Sequence, residues 1–111
     1  MQKTSILESG IFNPDRVHER LIHESAGAKI KSLHLLAGQE LPVKAYGTEG
    51  EAMLVVLSGE GLLLGKHGVL DALVQGDVVI ADLRIPHGLR AEKDMCVLAS
   101  FTPLPEKKAK K

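Results

Sequence analysis

The chain has 111 residues, 44% of them hydrophobic and 25% charged, with fourteen Lys and Arg balanced by fourteen Asp and Glu. That length suits one domain with a packed core, and the zero net charge excludes a globally basic nucleic-acid binder, which needs a positive field to gather phosphates. No apolar run approaches the ~20 residues of a membrane helix, and the lone Cys96 excludes an intrachain disulfide framework or a cysteine-based zinc cluster.

Met1-Gln2-Lys3-Thr4-Ser5 has no cationic stretch leading into an apolar one. The expectation is a cytoplasmic protein that meets neither membrane nor nucleic acid. Further along, Asn13-Pro14-Asp15 reads as a turn, Pro14 to Arg20 as a short helical segment and Arg20 to His23 as an edge strand. Residues 1–28 are therefore read as an irregular segment ending in an edge strand.

From Ala28 to Leu36 the side chains alternate. Ile30, Ser32, His34 and Leu36 share one face of a strand; Lys29, Lys31, Leu33 and Leu35 share the other, which the lysines mark as wet at its start. Ala37-Gly38-Gln39-Glu40 is a turn, and Leu41 to Tyr46 reads as another strand. Short runs rich in Val, Ile and Leu come next: Met53 to Leu57, Leu62 to Leu64, Val69 to Val74, Val78 to Ala81 and Met95 to Phe101. Each is too short for an ordinary helix, and Gly-containing turns punctuate them. Gly65-Lys66-His67-Gly68 reads as the tip of a hairpin. The pattern predicts an all-β sandwich or barrel over 29–103. Residues 104–111, with Pro105 and four lysines, read as a mobile basic tail that solubilises the chain.

Two stretches carry a more specific signal. Gly38-Gln39-Glu40-Leu41-Pro42-Val43 opens in register with the first motif of the cupin family, and Leu54-Val55-Val56-Leu57-Ser58-Gly59-Glu60-Gly61 resembles its close. Gly76-Asp77-Val78-Val79-Ile80 opens in register with the second motif, and Ile85-Pro86-His87-Gly88 ends it. The sequence thus resembles a small single-domain cupin from about Ile30 to Pro103. The resemblance implies an antiparallel double-stranded β-helix, a jelly-roll barrel of about six to eight strands.

The ligand set implied by the resemblance is degenerate. The two motif histidines fall on Lys44 and Tyr46. The motif glutamate falls on Glu51 when counted forward from Tyr46 and on Ala52 when counted back from Gly59. The histidine of the second motif is kept, as His87, while Asp82-Leu83-Arg84 replaces its Pro-x-Gly and Ala91 its terminal Asn. Lysine is protonated near neutral pH and offers a metal no lone pair. No cofactor is favoured; if a divalent metal binds, the candidate ligands are His87, His34 and Glu51.

Each candidate also has a plainer role. Lys44 either meets an anionic ligand or extends its ammonium to solvent at the barrel rim. Tyr46 either contacts ligand or fills the mouth, and His87 either serves a ligand or bonds to backbone or Tyr46. Glu51 also fits an exposed acidic loop, His34 a hydrogen-bonded core or edge position, and Cys96 a small core residue. Asp82 and Arg84 read as a pair or a solvated loop, while His18, His23 and His67 read as surface.

No phosphate loop, Gly-x-Ser-x-Gly elbow or His-Glu-x-x-His occurs, so the common routes of phosphoryl transfer and serine hydrolysis lose support. Two functions remain in front. One is a barrel that holds a small polar or anionic molecule at Lys44, Tyr46 and His87 without the usual metal. The alternative is a metal-dependent enzyme of the dioxygenase, isomerase or decarboxylase class, with an altered ligand set including His87. An interaction protein without ligand is a third. A homodimer is expected on the family resemblance, with Ile6-Leu7 and Ile11-Phe12 suited to a partner's sheet edge.

Overall fold

Alternation along residues 50–58 shows how this sequence builds a two-layered sheet structure. Ala52, Leu54 and Val56 are buried while Glu51 and Met53 are exposed, so one face of the strand is core and the other is surface. The computed structural model describes residues 1–7 and 11–103. Nine strands run through it: β1 (His18–Glu24), β2 (Lys29–Leu35), β3 (Glu40–Lys44), β4 (Gly50–Ser58), β5 (Glu60–Gly65), β6 (Gly68–Val74), β7 (Val78–Asp82), β8 (His87–Ala91) and β9 (Met95–Pro103). They form a five-stranded sheet in the order β1-β2-β9-β4-β7 and a four-stranded sheet in the order β3-β8-β5-β6, and every pairing is antiparallel. The all-β double-stranded β-helix expected from the sequence is the fold observed.

The core lies between the sheets. Leu33, Leu35, Leu54, Val56, Val97 and Ala99 face inward from the larger sheet, and Leu73, Leu89 and Ala91 meet them from the smaller. Burying side chains of this size contributes about 1.5–3 kcal/mol each relative to exposure. Met95 closes one end, with its sulfur against Gly61. The opposite end, where Phe101, Lys29 and Lys31 of the larger sheet lie across from His87 and Lys44 of the smaller, stays open.

Turns fix this arrangement. Gly59, between β4 and β5, has φ +85°, and a Cβ there would run into the Asp94 carbonyl and the Cα of Met95. Only glycine both adopts that conformation and admits the neighbouring backbone. The hairpin at Lys66 and His67 joins β5 to β6, with Gly65 opposite Gly68, as the sequence predicts.

The N-terminal region departs from expectation. No helix forms over 14–20; the Asn13 side chain accepts the backbone N–H of Asp15 at 2.8 Å in an Asx-type turn, and the chain enters β1 at His18. That strand starts earlier than expected and pairs with β2 from Lys29 to His34. The described residues before it lie over the outer face of the five-stranded sheet. Ser5 accepts a hydrogen bond from Arg20 at 3.1 Å, and the Phe12 ring meets His34 edge-on. The basic tail expected over 104–111 lies outside the described residues.

Candidate functional site at the barrel mouth

Lys44 reaches the mouth through an irregularity in β3. Glu40 pairs with Arg90 and Leu41 with Leu89, but Lys44, not Val43, pairs with His87. The extra residue is a bulge, which turns the strand and re-aims the side chains after it. Gly88 makes room for it, since a Cβ there would strike the Leu41 carbonyl and lie 2.9 Å from the Val43 nitrogen. Leaving β3, the chain is pinned by the Tyr46 N–H, which donates to the Leu83 carbonyl at 2.9 Å.

These constraints collect three polar side chains. The Lys44 ammonium lies 5.1 Å from the centroid of the Tyr46 ring, within cation–π range. The Tyr46 ring is tilted against His87 at 5.9 Å and against Phe101 at 5.8 Å. Tyr46 remains 44% exposed, so the residue is open to a ligand. His87 Nδ1 lies 3.1 Å from the Ile85 carbonyl. A carbonyl only accepts, so the proton sits on Nδ1, and Nε2 of the neutral ring is an acceptor.

The loop entering β8 is held by charge. Arg84 Nη2 meets Asp82 Oδ2 at 3.0 Å and Arg84 Nε meets Oδ1 at 3.2 Å, while Glu49 lies 3.7 Å from the same guanidinium. Arg84's hydrogen bonds hold the Asp82 carboxyl below its ordinary value, and Asp82 in turn raises Arg84. The pairing read from the sequence is therefore formed. Between the two, Leu83 turns inward and is buried.

Beside Tyr46 opens a cleft of about 280 Å³, lined by Glu24, Ser25, Ala28, Lys29, Lys31, Thr48, Leu83 and Phe101. Lys29, Lys31 and Phe101 are not among the site residues that the sequence suggests. Parity groups Lys29 and Lys31 with Leu33 and Leu35, and packing against the opposing sheet makes theirs the core face. The wet start of that face is the mouth of the barrel. Lys31 is paired with Glu19 at 2.8 Å and lies 5.8 Å over the Phe101 ring.

The same parity corrects His34. Because Leu33 and Leu35 point inward, His34 points outward, away from His87. It is buried there beneath Phe12, with Nε2 2.8 Å from Ser32 Oγ and its ring 5.7 Å from His18. Burial lowers its pKa, and the charges of His18 and Arg20 add to that effect. His18 is accordingly half-buried against His34, where the sequence suggested a surface position. Glu51 also faces outward, since its neighbour Ala52 takes the inward place. His87, His34 and Glu51 therefore do not assemble into an altered metal site. The inward positions themselves, Lys44, Tyr46, Ala52 and His87, do not fit a divalent ion: Ala52 has no donor and an ammonium has no lone pair to give. Among the described residues, no group of three or more His, Cys, Asp or Glu side chains converges as a metal site would require. Cys96 is buried, and burial pushes its thiol up to about 11.

Two antiparallel sheets wrapped about one core, open at an end that carries inward polar side chains, define a double-stranded β-helix domain. No family model and no curated protein matches the sequence. Among solved structures, an RmlC-like cupin protein from Desulfovibrio desulfuricans is 40% identical, with a TM-score of 0.88 over 92% of this chain and 96% of that one. The chain belongs to the RmlC-like cupin family. A Klebsiella pneumoniae protein with a double-stranded β-helix domain matches at 19% identity and TM-score 0.77, over 91% of both chains. Ectoine synthase from P. lautus matches at 19% identity and TM-score 0.72, over 93% of this chain and 78% of that one. Likenesses at this level show the fold alone.

Proposed function

We propose that this cupin binds a small polar or anionic molecule at the barrel mouth through Lys44, Tyr46 and His87, without the usual metal. One observation carries the reading: Lys44 and His87 are cross-strand partners, and the Tyr46 ring lies against both. A cation, a phenol and an imidazole acceptor converge where the barrel is open to solvent. Such a set recognises a carboxylate and an adjacent hydroxyl, and the partly apolar wall supplies contact area. The chain is further proposed to act as a homodimer.

The test begins with metal analysis of untagged protein purified without chelator. Substoichiometric metal, together with a rise in thermal midpoint on adding succinate that is lost in Lys44→Met, supports a metal-free binding site. Near-stoichiometric iron, manganese, nickel or zinc that disappears in His87→Ala overturns it in favour of a metal-dependent enzyme.

A further inference from the structure

We infer that the ligand is a monocarboxylate with a flat, largely apolar body, its carboxylate at Lys44 and its body in the cleft beyond Tyr46. This rests on the proposed binding role of the mouth and adds the class of molecule.

The argument is one of charge placement. Around the mouth, two of the cations are held by carboxylates. Lys31 pairs with Glu19 at 2.8 Å, and Arg84 pairs with Asp82 at 3.0 Å and lies 3.7 Å from Glu49. Within the cleft, Lys29 and Glu24 are opposite one another in the β1–β2 register, so that end carries both signs. Lys44 differs. Among the described residues no carboxylate lies within ion-pair distance of its ammonium, whose contact is the Tyr46 ring at 5.1 Å. The mouth is thus electrically polar, with excess positive charge on the Lys44 side of Tyr46 and balance on the cleft side. A second carboxylate at the far end would meet Glu24 as well as Lys29 and gain little.

Shape points the same way. Leu83, Ala28 and the rings of Tyr46 and Phe101 wall the cleft, and the two rings stand 5.8 Å apart at 59°. Rings tilted in this way offer edges and faces to a third, planar group. About 280 Å³ admits a body of one or two fused rings. A sugar or a short dicarboxylate would leave those apolar walls unused.

Three probes separate the elements of the proposal by calorimetry on the full chain: 2-naphthoate, its neutral isostere 2-naphthamide, and succinate. The expected result is that 2-naphthoate binds at least about tenfold more tightly than either of the others. Lys44→Met should weaken 2-naphthoate about tenfold, and Thr48→Trp, which fills the cleft from an exposed loop position, should weaken it similarly while sparing succinate. Matched thermal midpoints confirm that both variants fold. If succinate binds through Lys44 and 2-naphthoate does no better, or Thr48→Trp leaves 2-naphthoate unchanged, the inference fails and the binding site stands. If none of the probes binds, or Lys44→Met changes nothing, the proposed site fails with it.

Discussion

Lys44 stands opposite His87 only because β3 carries one residue more than its partner strand between Leu41 and Lys44. Without that bulge Val43 would take the place, and the mouth would lose its cation to the outer face. Gly88, beside His87, leaves the gap into which the bulged backbone fits. Gly88→Ala is therefore expected to cost about 1–3 kcal/mol of stability, since overpacking here must push β3 away. It should also weaken succinate binding by removing Lys44 from register. Gly27→Ala, in a turn where a Cβ meets nothing within 4 Å, is expected to stay within about 0.5 kcal/mol of the parent. Urea midpoints of the two variants check the difference.

At the site itself, His87→Ala should weaken lactate by about tenfold, ~1.4 kcal/mol, because Nε2 is the acceptor offered to the hydroxyl beside the ligand's carboxylate. His67→Ala lies in the exposed β5–β6 hairpin and should leave binding unchanged. Calorimetric titration of both proteins reads the contrast, and equal losses would argue against a site in the barrel.

The fold was legible because each turn leaves a local mark. Gly59 and Gly76 sit where the chain must reverse, and the runs between such glycines are strand-length. Position along the motif also placed Lys44, Tyr46 and His87 together, and their rings and ammonium do meet. What sequence could not settle was which face of β2 is inside. Alternation separates Lys29, Lys31, Leu33 and Leu35 from Ile30, Ser32, His34 and Leu36, but both sets mix polar and apolar residues. The answer comes from tertiary packing: Leu33 and Leu35 meet the opposing sheet, and the N-terminal segment covers the other face with Phe12. An outer face roofed by a distant segment buries His34 as fully as the core would. The bulge at Lys44 was equally silent, since it depends on Gly88 in another strand.

His34 gives the protein a pH dependence whose sign is fixed by its surroundings. Burial first, then the charges of His18 and Arg20, lower its pKa below the ordinary 6.5. The unfolded chain therefore takes up this proton at a higher pH than the folded one. Its contribution to stability is complete above the unfolded value and declines as pH falls below it. The urea midpoint is expected to drop between about pH 7.5 and pH 5.5, and His34→Gln should flatten that dependence. Asp82 does not interfere, because its depressed carboxyl loses its contribution only as pH falls below the ordinary 3.8. A parent midpoint that is level across the interval would contradict the assignment.

Cys96 lies across from His34 in the β2–β9 register, and burial holds its thiol at about 11. The thiolate is the reactive form, so the folded protein should resist modification by a disulfide reagent at about pH 8, while the urea-unfolded chain reacts at once. Absorbance of the released thiol tracks both. Rapid labelling of the native protein would mean that the covering N-terminal segment opens readily.

The proposed homodimer has a natural place to be tested on the other half of that outer face. Met53 pairs with Ile80 and Val55 with Val78 across β4 and β7. Met53, Val78 and Ile80 are 38%, 56% and 58% exposed, and β7 is the edge of its sheet. An edge strand with an apolar outward face invites pairing, and a two-fold axis beside β7 would satisfy both its backbone and its side chains at once. Lysine at Val78 and Ile80 would charge the face without touching the core, since both side chains point away from it. Sedimentation velocity should show the parent as a dimer and the double variant as a monomer, with the monomer's thermal midpoint dependent only weakly on concentration. A parent that sediments as a monomer would remove the dimer, and a double variant that remains dimeric would move the interface elsewhere.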